Sequence, residues 1–532
     1  MRFAFCFLWC FLWINNSFAQ RPFSVEIEET SINGMPAVHS GTVITLNGKW
    51  LFLGGRINGL HGFQPPFAFP TSGRNEMIYV VDPIANQTWS LAANTLTDSI
   101  FESVCSSNMQ YILNHDTLMM LGGYGWKNSV NDFVTFPTLT IIDASGLMNA
   151  VINSQPINSF FRQITDQRFA VCGTHLFKIE DTYYLPFGHR FEGIYSPING
   201  GGGFFNQSYT CSVSTFNLID NGANNISINN WNQTVDSVNF HRRDLNASLQ
   251  IFPNGATGIT AYAGVFQPTI NLPYFTPIDI TSPTNFNVSN WTQKYADYHC
   301  PVMPVFDSTF NFMHTEFFGG MSEFFPDSLG ATLLQDTAVP FVKTISRITR
   351  DPNSQFTELV ESQKMPGFLG TNCTFLPLDG VASIEGEIIK LDPLFGHTQV
   401  GWLVGGIESP MANISQIDPG LSFASNRVFK VFINTDTLTS IPVVQPDLPF
   451  QITVSPNPSS ENLNFHFNSN ISGNASLCIF NENGVLVFSN TNFELKNNSR
   501  LKINLHSIPS GLYNYACYFN GYKLSGLISV IK

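Results

Sequence analysis

Apolar and polar positions alternate in short runs along most of the chain, and six of these runs end in the same way. Leu51-Phe52-Leu53 runs into Gly54-Gly55, and Met119-Met120-Leu121 into Gly122-Gly123. Tyr184-Leu185-Pro186-Phe187 reaches Gly188, and Ala261-Tyr262-Ala263 reaches Gly264. Glu316-Phe317-Phe318 precedes Gly319-Gly320, and Leu403-Val404 precedes Gly405-Gly406. The spacing from Gly54 to Gly405 is a period of about 70 residues, the mark of a repeat architecture. Before each glycine lies another apolar run that opens at a small residue: Ser40, Cys105, Cys172, Ala247, Cys300 or Cys373. A third run follows, such as Met77–Asp82 or Leu139–Asp143, and a fourth often carries Trp, as at Trp89, Trp231 and Trp291.

Runs of this length and period read as strands, so each repeat predicts a four-stranded antiparallel meander. One meander cannot bury both of its faces. Six packed face to face around an axis can, which predicts a six-bladed β-propeller over residues 22–444. The Gly-Gly after an apolar strand, with His39-Ser40, Tyr79 and Trp89 around it in the first repeat, resembles the kelch repeat. In the third and fourth repeats Gly188-His189 and Gly264-Val265 stand where the pair is expected. The strand Phe23–Glu29 is expected to complete the last blade, with Leu438–Val444 as the other choice.

After residues 445–451, read as a linker, the pattern changes. Six shorter apolar runs between Leu463 and Ile531 are punctuated by Asn483-Gly484, Pro509-Ser510-Gly511 and Asn520-Gly521, which predicts a small C-terminal β-sandwich. Ser455-Pro456-Asn457-Pro458, then Cys478 to Gly484, then Pro509-Ser510-Gly511-Leu512-Tyr513 and a final Lys532 occur in order. This combination over residues 452–532 resembles the type A C-terminal sorting domain of the type IX secretion system of Bacteroidota. The resemblance implies that Pro456, Asn457, Pro458, Gly484, Gly511, Tyr513 and Lys532 carry the sorting motif. It also implies that the secretion machinery is a partner, and that the destination is the outer-membrane surface or the medium, reached through the periplasm.

The other end agrees with export. Residues 1–19 read as a signal peptide: Arg2, an apolar run from Phe3 to Ile14, and cleavage expected between Ala19 and Gln20. That run is short for a membrane span, and no later stretch reaches 18 unbroken apolar residues, so no transmembrane span is expected.

Composition narrows the reading. Charged residues are 12 % and aromatics 14 %, with 49 Phe, the balance of an all-β extracellular protein. A net charge of −13 argues against a nucleic-acid partner, which would need a basic face. Seven cysteines remain after Cys6 and Cys10 depart with the signal peptide; there is no CxxC pair, and neither metal nor cofactor is expected. The recurrent cysteines are read as small apolar groups packed near the axis.

Candidate chemistry lies just before the inner strands, where polar residues collect. His39, Glu102, Arg168, Arg243, Asp244, Asp297 and His299 are the candidates for a binding site at the channel rim. Arg168 and Arg243 each precede their small residue by four, so they are expected at equivalent places, able to grip carboxylate or sugar-acid oxygens. Tyr298-His299-Cys300 holds the residue types of a radical-copper oxidase such as galactose oxidase, but adjacent strand residues point apart and no second His–Tyr set accompanies them. No phosphate loop, dinucleotide fingerprint or common hydrolase motif is present. The reading is therefore a secreted or surface propeller that binds protein or glycan, with a carbohydrate-active enzyme (epimerase, lyase or oxidase type) as the alternative.

Overall fold

The computed structural model describes residues 22–62, 67–195, 205–222, 225–327, 330, 332–414, 419–435, 450–469, 472–481, 486–519 and 522–532. The signal-peptide cleavage residues Ala19 and Gln20, the sorting-motif residue Gly484 and most of the expected linker lie outside them. The chain divides into two compact units, Met1–Thr437 and Leu438–Lys532. The expected linker ends inside a strand, because Phe450–Ser455 already pairs with Asn462–Ser469.

The protein is all-β, with two short α-helices, Asp98–Val104 and Ala144–Ile152, among the described residues. Among the described residues of the larger unit, six sheets of four or more strands, each built on antiparallel pairs, follow in chain order, with three two-stranded sheets beside them. The first runs Thr42–Leu46, Lys49–Leu53, Met77–Asp82, Gln87–Ala92, each strand paired with the next. The second to fourth sheets repeat this order, beginning at Gln110, Phe177 and Asn246; the fifth, beginning at Val302, repeats it and adds Ile388–Lys390, parallel to Val302–Asp307, and then Ser383–Ile384. The sixth is assembled from both ends of the unit: Phe368–Pro377, His397–Ser409 and Val428–Asn434 are joined at the outer edge by Ser24–Thr30. The N-terminal strand is thus the completing strand.

Each sheet buries its faces against its neighbours. Leu51, Leu53 and Val80 of the first share a core with Leu118, Met120 and Ile142 of the second. Similar cores join the second to the third, the third to the fourth, the fourth to the fifth and the fifth to the sixth. The sixth returns to the first, where Trp402 and Val404 pack with Trp50 and Phe52, the two indoles meeting edge to face at 5.4 Å.

The glycine after each second strand makes the same bond six times. Gly55, Gly123, Gly188, Gly264, Gly320 and Gly406 donate their backbone N–H to the carbonyls of Ser106, Val171, Arg242, Asp297, Leu369 and Val38, at 2.7–3.2 Å. Each bond reaches the next repeat, and the last reaches the first. All six glycines have φ between 79° and 93°, a conformation that a Cβ disfavours. The residue before each is also left-handed, so in the third and fourth repeats the pair lies one position earlier than the sequence reading put it. In the third and fourth repeats Phe187 (φ 64°) and Ala263 (φ 41°) stand in for the first glycine. Those two repeats accommodate a side chain there at a cost in strain, whereas a Cβ on Gly54 or Gly122 would lie 2.2 or 1.9 Å from the carbonyl of Val104 or Val171; at the second position a Cβ on Gly55 would lie 2.3 Å from the His39 carbonyl.

All seven cysteines in the described residues are free thiols, five of them buried.

In the smaller unit, the sheet Phe450–Ser455, Asn462–Ser469, Ser499–Asn504 and the sheet Leu486–Leu495, Gly473–Asn481, Gly511–Phe519, Tyr522–Val530 contribute to one core, including Phe465, Phe467, Leu477, Tyr515 and Ile528. Three of the residues expected to carry the sorting motif are held within this unit. Asn457 donates to Leu527 O (2.9 Å) and accepts from Ser529 N (2.8 Å), while the Tyr513 hydroxyl donates to Pro509 O at 2.9 Å. The Lys532 ammonium donates to His506 O at 2.6 Å.

Candidate functional site

A second ladder runs between the repeats, one step from the glycine bonds. Asn108 N donates to Ser40 O, Gly173 N to Asn108 O, Asp244 N to Gly173 O, His299 N to Asp244 O and Asn372 N to His299 O, at 2.7–3.1 Å. Ser40, Asn108, Gly173, Asp244 and Asn372 all have φ between 47° and 69°, which explains the Asn, Asp and Gly at these positions. The ladder defines true equivalence between repeats. Arg243, just before Asp244, corresponds to Cys172, just before Gly173; each pairs with the residue after its repeat's glycine, Cys172 with His189 and Arg243 with Val265. Arg168 is therefore not the counterpart of Arg243. The small residues chosen from sequence are also out of step, since Cys172 precedes its ladder residue while Cys300 and Cys373 follow theirs.

A cavity of about 250 Å3 lies beside this ladder. It brings together three of the seven rim candidates, His39, Arg243 and Asp244. The other four lie elsewhere. Glu102 is buried on the helix Asp98–Val104, its carboxylate accepting from Asn128 N at 2.9 Å. Arg168 is exposed, paired with Asp166 at 2.6 Å and set 5.0 Å over the Trp231 ring. Asp297 is fully buried and accepts from Glu323 N at 2.7 Å. His299 shares a 3.0 Å hydrogen bond with Asn372, which does line the cavity, and meets His175 edge to face.

Sequence reasoning missed much of the wall. Arg56, Tyr124, His189, Met321 and Ile407 all line the cavity, and each follows a repeat's glycine. That shared offset was the available signal. The first three repeats supply an aromatic wall: Phe69 stacks on His61 (4.4 Å) and meets Tyr124 edge to face (5.2 Å), and Tyr124 meets Phe191 at 5.2 Å. Tyr195 meets His61 at 4.9 Å. Repeats five and six supply aliphatic Met321, Val339 and Ile407.

The histidines are neutral at physiological pH. Burial drives the pKa of His39 down to about 3 and that of His61 to about 4, and burial with Arg243 nearby holds His189 well below its usual value. Their tautomers follow from their partners. His39 Nε2 donates to Asn58 O (2.9 Å), so its Nδ1 accepts from Ser40 Oγ. Gln207 Nε2 donates to His189 Nδ1 at 2.8 Å, leaving the proton on Nε2.

The charges belong to three residues. Arg243 is ion-paired with Asp244 and lies 5.3 Å from the Phe266 ring centre. Arg56 is buried, and burial lowers its pKa to about 10, which keeps it cationic. Among the described residues it bonds neutral groups: Nε donates to Asn58 Oδ1 (3.1 Å) and Nη2 to Pro70 O (2.7 Å). Thr371 Oγ1, also on the wall, is buried without a hydrogen-bond partner among the described residues. No group of three His, Cys, Asp or Glu side chains suited to a metal occurs among the described residues.

Comparison with known proteins bears on the smaller unit. Residues 453–526 match the family described as the secretion system C-terminal sorting domain. That segment is the type IX sorting tail, and it directs the chain to the cell surface or the extracellular space. No curated protein matches the chain. Among solved structures, a fungal alcohol oxidase described as showing catalytic diversity among the AA5 family, in complex with copper, is 12 % identical over 94 % of this chain and 99 % of its own (TM-score 0.39). The structure of YjhT is 13 % identical over 73 % and 93 % (TM-score 0.40). Dimeric latent PorU from Porphyromonas gingivalis is 11 % identical over 73 % and 36 % (TM-score 0.14). No helix of the described residues is long and apolar enough to cross a membrane.

Proposed function

We propose that the larger unit is a six-bladed kelch-like β-propeller, carried to the surface of a Bacteroidota cell by the sorting tail, and that it binds the end of a glycan in its cavity. The cyclic order of six glycine bonds and six shared cores supports the propeller. The small sandwich that follows it in the chain is the export label, and the signal peptide cut at Ala19 starts the route. The cavity carries the binding reading. It is concave, walled by aromatic rings, and set with polar groups whose tautomers are fixed, which is the composition of a small-molecule site. At about 250 Å3 it suits a single ring rather than a protein surface.

The test is a glycan-array screen of the mature full chain beside Ala338→Trp, which places an indole in the cavity wall. Binding by the wild type that Ala338→Trp abolishes supports the reading. Equal binding by both proteins removes the cavity from the account.

A further inference from the structure

Arg56 is a buried cation without a carboxylate partner among the described residues. Its two hydrogen bonds go to an amide oxygen and a backbone carbonyl, and Nη1 donates to none of the described residues. The ring of Phe69 lies 5.2 Å from its guanidinium carbon. The site has been built tightly around it, since a Cβ on Gly73 would fall 2.5 Å from Nη2. Burying a guanidinium without an anion is costly, and a fold gains nothing from it in the empty state.

The balance of charge around the cavity tells what is missing. Arg243 and Asp244 cancel, and His39, His61 and His189 are neutral, so Arg56 leaves the wall with one uncompensated positive charge. A second unfilled demand sits on Thr371 Oγ1.

We infer that the cavity takes a sugar bearing a single carboxylate, with Arg56 as the receptor for the anion. This rests on the cavity being the binding site and adds the chemical class of its occupant. A guanidinium edge matches a carboxylate, and a monoanion neutralises the wall where a phosphate dianion would overshoot it. The neutral imidazoles and the amides of Asn108 and Asn372 suit hydroxyl groups, while Phe69 and Tyr124 give the wall apolar surface for the sugar carbons.

The experiment is thermal unfolding of the mature full chain with D-galacturonate or D-galactose at matched ionic strength, with acetate as the carboxylate lacking a sugar. Wild type, Arg56→Met and Ala338→Trp are compared. Galacturonate is expected to raise the wild-type Tm, and galactose to leave it nearly unmoved. Arg56→Met should melt at or above the unliganded wild type while losing at least about tenfold in galacturonate affinity. A Tm of Arg56→Met well below wild type would show a guanidinium that is satisfied in the fold, and would overturn the inference. So would equal shifts by both sugars, an equal shift by acetate, or no shift by galacturonate. A galacturonate shift that survives Ala338→Trp but not Arg56→Met would instead remove the cavity reading and leave Arg56 as an anion site.

Discussion

Gly406 donates its backbone N–H to the carbonyl of Val38 at 3.2 Å, so the sixth repeat is fastened to the segment that leads into the first. The bond exists because residue 406 has φ 91° and no side chain; a Cβ there would lie 2.7 Å from that of Cys373. Gly406→Ala should therefore lose stability through both backbone strain and overlap, by about 2–4 kcal/mol. Gly380→Ala, with φ 87° but nothing within 4 Å of the added carbon, isolates the strain and should lose about 1–2 kcal/mol. Urea unfolding of both variants measures the difference.

The completing strand is held by a buried charge network. Arg347 is fully buried between Glu316 and Glu361, its guanidinium 3.6 Å from the Phe23 ring centre, and Nη2 also donates to Phe23 O at 3.2 Å. Arg347→Met strands two carboxylates and should cost about 3–5 kcal/mol. Replacing Arg347, Glu316 and Glu361 together by apolar residues should recover most of that loss in the same unfolding assay.

Stability should fall as pH rises from about 6.5 to about 8, above the range in which the buried histidines, neutral in the fold and protonated in the unfolded chain, give the opposite trend. Burial raises the carboxyls of Asp297 and Glu358 to about 8, so both are protonated in the fold across a range where the unfolded chain has released its protons. The folded state then binds more protons, and that stabilisation is lost as pH climbs through the folded pKa. Glu323 and Lys294 face the pair, the first opposing ionisation of Asp297 and the second easing it for both. Asp297→Asn with Glu358→Gln should flatten the slope of Tm against pH over this window.

Removal of the tail isolates the delivery step. A chain ending at Pro449 lacks every residue of the matched segment and should accumulate, folded, in the periplasm of a host with the type IX system. Fractionation with immunoblotting reads the outcome, and efficient surface delivery without the tail would contradict the sorting role.

The fold was legible where backbone chemistry forces a residue type. The six glycines mark positions that admit no Cβ, and the tail's Asn457 and Tyr513 hold its own strands together, so both patterns show in one sequence. The completing strand was legible from its alternation, with Val25 and Ile27 inward. The site was harder to read. Counting back from small residues misaligned Arg168 with Arg243, because the loop before each inner strand varies and Gln167–Phe169 forms a helical turn of its own. Glu102 and Asp297 were chosen for charge, yet both are consumed by backbone donors. Arg56 went unremarked beside its glycines, since nothing in sequence distinguishes a paired guanidinium from one left without a counterion.

A crystal structure of the mature chain with the strongest glycan-array ligand tests the central claim most directly. The account predicts ligand density in the cavity, between Arg56, Tyr124, Arg243 and Tyr298. Density on an outer sheet face, with the cavity holding only solvent, would contradict it.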